Sequence, residues 1–264
     1  MSQSGGNGGA TSTVKTGSAA ATLGHLSDVG RVRRHNEDNY ALRDDLGLWV
    51  VADGMGGAAA GEKASAIVVD VLARETERGT ALEDAIAEAN RSILDAVVAG
   101  EGKQGMGSTV VAARFAGSDY HIAWVGDARA YLWSDGLHRL SHDHSRVQEL
   151  VDAGLITEEE ARQHPHRSVI TRVLGGPDGT AAAPDLVSGS LEPGQGLLLC
   201  SDGLTSEVAD AEIAKVLSRE MDGSDSGSGS GQQAVDELVA KALDEGGSDN
   251  ITVILVGVPK NAAA

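Results

Sequence analysis

An apolar run that breaks off at a carboxylate is the feature that most constrains this chain, and it occurs repeatedly. Leu46-Gly-Leu-Trp-Val-Val-Ala52 ends at Asp53 and is followed by Gly54-Met-Gly56-Gly57. Residues 48–52 are apolar, partly β-branched and too few for a helical period, so they read as a buried strand with Asp53 at its end. The glycines that follow let main-chain groups approach closely and take positive φ, leaving the carboxylate open to a metal ion or a phosphate's partner. The pattern recurs at Ile122-Ala-Trp-Val-Gly-Asp127 and at Leu197-Leu-Leu-Cys-Ser-Asp202-Gly203. It appears with the carboxylate leading at Gly247-Ser-Asp249-Asn250, which runs into Ile251-Thr-Val-Ile-Leu-Val256. The expectation is that these ends converge in space.

A chain of 264 residues with 41% hydrophobic composition can bury one large core. A single domain over 22–259 is expected, preceded by a disordered Gly/Ser/Thr/Ala-rich leader at 1–21 and followed by a tail at 260–264. Acidic residues number 39 against 21 basic, a formal charge of −18, and that field repels nucleic acid and anionic membrane surfaces. No stretch approaches the roughly 18 apolar residues needed to span a bilayer. Cys200 is the one cysteine, which excludes an internal disulfide and places the chain in a reducing compartment, the cytoplasm.

Along the chain, residues 22–40 begin as a strand and become a polar turn carrying Asp28, Arg33, Asn36, Glu37 and Asp38. Clustered cations and carboxylates ahead of a glycine-flanked Asp suit an anionic substrate and a metal or its waters. Residues 61–72 place positions 64, 67, 68, 71 and 72 on one helical face. A second helix carries Leu82, Ile86, Ala89, Ile93 and Val97, with Thr80 and Glu83 as its expected capping box. Short strands joined by turns follow at 105–115, 120–125, 130–133 and 137–140, with Asp135-Gly136 as a hairpin turn, and this succession indicates antiparallel pairing. The segment 141–176 is polar, basic and histidine-rich and reads as a mobile flap, with Thr157 and Glu160 capping a short helix. Strands resume near 183–190 and at 197–200. A flexible Ser/Gly loop covers 221–231, a helix 233–243, and the last strand 251–258.

Several motifs fail on inspection. Gly54-Met-Gly56-Gly-Ala-Ala59 mimics a dinucleotide fingerprint, but no second strand with a terminal acid follows, and Asp53 would point negative charge at a pyrophosphate. Gly56 to Gly61 has P-loop spacing, yet Glu62 stands where the lysine belongs. Cys200 lacks the arginine six positions on that a thiol phosphatase needs, since 206 is Ser, so it reads as a small buried strand residue. His142 and His144 belong to no closed Cys/His set, which excludes structural zinc. What remains is Glu37, Asp38, Asp53, Asp127, Asp202 and Asp249 at strand ends and turns. Placed together they repel one another and raise one another's pKa, and hard divalent ions such as Mg²⁺ or Mn²⁺ remove that conflict.

These residues resemble the metal-dependent serine/threonine protein phosphatases of type 2C, in their bacterial branch. The resemblance runs from Ser27 to Val256 through Ser-Asp28-Val-Gly-x-Val-Arg33-x-x-Asn36-Glu37-Asp38, Val-Ala-Asp53-Gly54-Met-Gly-Gly, Gly105-Met-Gly107-Ser-Thr109, Val125-Gly126-Asp127-Ala-Arg129-Ala-Tyr131, Asp143-His144-Ser, Ser201-Asp202-Gly203-Leu204 and Ser248-Asp249-Asn250-Ile-Thr-Val. It implies an α+β fold, a four-layer sandwich of two antiparallel β-sheets flanked by helices, with a metal cleft at one edge. It further implies that Asp53 bridges two metals, joined by the Gly54 carbonyl, with Asp202 and Asp249 completing one ligand set. Asp127 with Asp202 would hold a weaker third ion, Glu37 and Asp38 would hold metal-bound waters, and Arg33 would bind phosphoryl oxygens. The implied reaction is hydrolysis of phosphoserine and phosphothreonine on proteins, kinases or their targets, by a hydroxide bridging two Mn²⁺ or Mg²⁺ ions. A monomer is expected.

One departure bears on the chemistry. Many eukaryotic relatives carry a histidine, the proposed acid for the leaving alcohol, where this chain has Met55, and a thioether donates no proton. His142 and His144 are the flap candidates for that role. Two other functions fit the same residues: a non-catalytic metal-binding regulator with this fold, and a phosphatase dedicated to one regulatory partner protein.

Overall fold

The computed structural model describes residues 19–176, 183–222 and 230–258. In chain order the elements are β1 (Ala21–Asp28), β2 (Asp38–Arg43), β3 (Leu48–Met55), α1 (Ala58–Glu77), α2 (Leu82–Val98), β4 (Gly107–Ser108), β5 (Val110–Ala116), β6 (Asp119–Val125), β7 (Arg129–Trp133) and β8 (Leu137–Arg139). There follow α3 (Arg146–Asp152), α4 (Glu158–Arg162), β9 (Asp185–Ser190), β10 (Gly196–Cys200), α5 (Asp202–Glu207), α6 (Asp210–Asp222), α7 (Ser230–Glu245) and β11 (Ile251–Gly257).

The strands form two wholly antiparallel sheets, ordered β1-β11-β10-β7-β8 and β2-β3-β5-β6-β9, with β4 pairing β3. Their composition follows their place. The central strands β3, β5, β10 and β11 are covered on both faces and read as unbroken apolar runs, whereas edge strand β9 alternates in exposure residue by residue. Trp49, Val51, Val111, Ile122, Leu197, Leu199, Ile254 and Val256 fill the space between the sheets. The opposite faces bury Leu48, Val50 and Ala112 against α1 and α2, and Leu198, Cys200 and Val253 against α5, α6 and α7. The result is the expected four-layer α+β sandwich. Truncating one of these large buried side chains costs about 2–5 kcal/mol.

Antiparallel pairing explains why the strand ends meet. With β5 between them, β3 and β6 run the same way, so Asp53 and the residue after Val125 emerge at one end of their sheet. In the other sheet the end of β10 lies beside the start of β11, Cys200 opposite Val253. The two sheets are stitched together at that end by Asp38, whose Oδ2 accepts from Ser201 Oγ (2.8 Å) and Thr252 Oγ1 (2.7 Å).

Several local expectations are refined. Thr80 does not cap α2: the N-cap is Ala81 without a side-chain bond, and the Thr80 hydroxyl turns back to Glu75 Oε2 at 3.1 Å because its own N–H is already bound to the Glu75 carbonyl. Thr157 and Glu160 do form a capping box, on α4. Residues 202–222, for which no helix was expected, carry α5 and α6, with Ile213, Val216 and Leu217 as the buried stripe. The leader over 1–18, the centre of the Ser/Gly loop at 223–229 and the tail lie outside the described residues. Ala20 is already buried and Ala21 opens β1. The segment 141–176 is closed on itself by the Ser145–Ile170 bridge and tied to β4 by the Ser108–Leu174 bridge. No described helix is long and apolar enough to cross a membrane.

Candidate metal centre

Asp38 and Asp53 are cross-strand partners at the open end of β2 and β3. The Asp53 carbonyl accepts from Thr109 N (2.8 Å) and Ser108 Oγ (3.1 Å), which fixes the strand end and leaves the carboxyl free of that task. Gly54 follows under a tight roof: a Cβ there would collide with the Gly61 carbonyl, so α1 can close over the site only because the residue is glycine. Gly61 in turn leaves room for the Glu37 carboxylate.

Asp127 occupies the β6–β7 turn after Gly126, whose φ of 107° is a conformation L side chains rarely adopt. Asp202 is the first residue of α5 and Asp249 lies two residues before β11. Asp202 Oδ1 is buried without a hydrogen-bond partner. Arg33, on the loop between β1 and β2, donates from Nη2 to Asp249 Oδ2 at 2.7 Å and is otherwise exposed.

Electrostatics report the same convergence. Burial lifts Asp53 well above the usual carboxylate range, and the charges of Asp38, Asp202, Asp127 and Asp249 add to it. Burial raises Asp38 to about 7; hydrogen bonds from Thr252 and Ser201 work against that rise, and the charges of Asp202 and Asp249 reinforce it. Asp202 is raised to about 6 by burial and by the charge of Asp249, with Arg129 and Arg33 working against the rise. Asp127 is pushed up by burial, then by Asp202 and Asp143. Glu37 is raised by burial and held back by Arg33. Such mutual repulsion exists only among groups that face one another.

The donor set fits hard divalent cations by a direct observation. Asp38 Oδ1, Asp127 Oδ1 and Asp202 Oδ1 are buried oxygens with no hydrogen-bond partner, and such uncompensated acceptors suit an oxygen-seeking ion. Among the described residues no three Asp, Glu, His or Cys side chains are grouped closely enough, as placed, to hold a metal ion.

The remaining candidates lie apart. His144 is buried, its Nδ1 accepts from Gly126 N (3.0 Å), and its other face meets Arg172 and Asp185, so it holds the β6–β7 turn rather than offering a proton. Burial and Arg172 lower its pKa. His142 is exposed and bound to Asp152. Met55 is 40% exposed beside Gly107. Cys200 is fully buried, and burial pushes its thiol upward. Asp28 accepts from Gly30 N and shapes a turn.

Not anticipated from sequence are Ser201 and Thr252, which grip Asp38, and Asn250, which bonds the loop carrying Arg33. The one available signal was their adjacency to site residues, Ser201 before Asp202 and Asn250 after Asp249.

The family described as Protein phosphatase 2C matches residues 31–240. The serine/threonine phosphatase stp of Listeria innocua is 38% identical over 244 residues, which is 87% of this chain and 93% of that protein. The crystal structure of the Mycobacterium tuberculosis serine/threonine phosphatase PstP/Ppp superposes with a TM-score of 0.78 at 36% identity, covering 91% of this chain and 98% of that one. The catalytic domain of PstP in complex with two manganese ions gives 0.76 at 34% identity, over 91% and 97% of the chains.

Proposed function

The chain belongs to the protein phosphatase 2C family of metal-dependent serine/threonine protein phosphatases, and from that premise we propose how its own residues carry the reaction on phosphoserine and phosphothreonine of proteins in the cytoplasm. The observation that carries the reading is the set of buried, unpartnered oxygens on Asp38, Asp127 and Asp202 surrounding Asp53. Asp53, the Gly54 carbonyl, Asp202 and Asp249 are the residues that would hold two Mn²⁺ or Mg²⁺ ions, and Asp127 with Asp202 would hold a weaker third. When bound, the ions lower the pKa of a coordinated water and neutralise phosphoryl charge.

Glu37 and Asp38 would hold water near the ions, and Ser201 and Thr252 fix Asp38 through Oδ2 while its Oδ1 stays unpartnered. Arg33 clamps the phosphoryl oxygens as its guanidinium fork permits, exchanging part of its contact with Asp249 for the substrate. Met55 supplies no proton, so the leaving alkoxide takes one from solvent within the cleft. Substrates are phosphorylated kinases or their targets.

Phosphate release from a phosphothreonine peptide should rise with added Mn²⁺ and vanish with chelator. Release that survives exhaustive metal removal contradicts the reading.

A further inference from the structure

The loop over 29–37 carries Arg33; Arg31 ties it to Gly247 and Leu243, and the side chain that bonds its backbone on both sides of Arg33 belongs to a residue with no assigned part in the reaction. Asn250 is 5% exposed. Its Nδ2 donates to the carbonyls of Val29 (2.9 Å) and His35 (2.9 Å), and its Oδ1 accepts from Glu37 N (2.8 Å). Two carbonyls and one N–H fix the amide's orientation, since the flipped group would face donor to donor. Both Nδ2 hydrogens and one Oδ1 lone pair are spent on the loop's backbone, at positions on both sides of Arg33. Its neighbour Asp249 receives the guanidinium itself, so two consecutive residues hold both the loop and its functional tip. Arg33 remains half-exposed and has no other hydrogen bond among the described residues, so the loop's conformation decides where that long side chain starts.

We propose that Asn250 is a positioning residue for phosphate binding: its amide fixes the 29–37 loop and thereby sets Arg33 beside the carboxylate cluster. The inference rests on the reading of Arg33 as the phosphoryl ligand given above. A loop held in advance spares the ordering cost at the moment of binding, so its loss falls on affinity before turnover.

The test is a cycle of Asn250→Ala, Arg33→Ala and the double variant in the Mn²⁺-loaded full chain. Its readouts are the Kd of inorganic phosphate by calorimetry and the steady-state constants for p-nitrophenyl phosphate. Asn250→Ala is expected to raise phosphate Kd and KM about tenfold while kcat moves less than about threefold. In the Arg33→Ala background the same change adds less than about twofold, because one interaction is lost only once. An unchanged Mn²⁺ affinity separates this from damage to Asp249.

Equal multiplicative losses in both backgrounds, or an unchanged phosphate Kd in Asn250→Ala, overturn the proposal. Should Asn250→Ala fail to fold, Asn250→Ser is read in its place; failure of both makes Asn250 a determinant of folding and also overturns it. An Arg33→Ala chain that keeps its phosphate affinity overturns the Arg33 reading and this inference together. Loss there without loss in the Asn250 variants overturns this inference alone.

Discussion

Two groups of buried charge lie side by side in this molecule and are treated in opposite ways. Arg129 and Asp143 are a finished pair: Nε reaches both carboxylate oxygens at 3.0 Å, Nη2 reaches Oδ2 at 2.7 Å, and Nη1 continues to Tyr131 Oη, which bonds Asp210. Asp38, Asp53, Asp127 and Asp202 are buried among like charges, and three of their oxygens have no partner. A buried ion that the chain itself completes is structural; a buried ion left incomplete marks a place where something from solution must complete it. The two groups touch electrostatically, since Asp143 contributes to the raised pKa of Asp127, so the contrast is one of pairing rather than of location.

The sharpest way to break this contrast is to remove charge from each group in turn. Asp53→Asn should lower kcat/KM roughly a thousandfold or more, because it takes away the ligand shared by both proposed ions. The same change should raise the melting temperature of the metal-stripped protein, because it deletes one member of a repelling set. Asp143→Asn should do the reverse. It strands the Arg129 guanidinium and should destabilise the fold by about 3–5 kcal/mol with or without metal. Chemical denaturation of both variants, each with Mn²⁺ and with chelator, checks the pair. Equal destabilisation of the stripped protein by both changes would erase the distinction.

How much of this was legible beforehand follows from what each residue does. Asp53, Asp127 and Asp202 stand where apolar runs stop and Asp249 just before one begins, and strands covered on both faces read as such runs, so both the sheets and the carboxylate cluster could be anticipated. Ser201, Thr252 and Asn250 could not, because a hydroxyl or amide at a strand end serves equally as a turn, a cap or a clamp. Only the 163-residue reach from Ser201 to Asp38 decides which. The α2 capping box misled for a related reason: Thr80 has the right spacing to Glu83, but a turn bond to Glu75 had already claimed its backbone. His144 looked chemical in sequence and is structural in space, its lone pair spent on Gly126.

A smaller effect sharpens the contrast through pH. Asp38 at about 7 and Asp202 at about 6 are raised above the ordinary carboxylate value, so the folded metal-free protein binds more protons than the unfolded chain between about pH 4 and pH 7. These groups therefore contribute stability that is present at about pH 4 and is lost as pH rises through 6 to 7. Metal-free melting temperatures should fall across that window, and saturating Mn²⁺ should flatten or reverse the slope by replacing the protons. A metal-free protein whose stability rises steadily from pH 4 to 7 would mean that these carboxylates do not face one another.

The most direct test is a calorimetric titration of Mn²⁺ into the metal-stripped chain at pH 7, repeated in buffers of different ionisation heat. The account predicts binding of two ions with release of protons, and loss of that binding in Asp53→Asn. Absence of Mn²⁺ binding, or binding that releases no proton and survives Asp53→Asn, would contradict it.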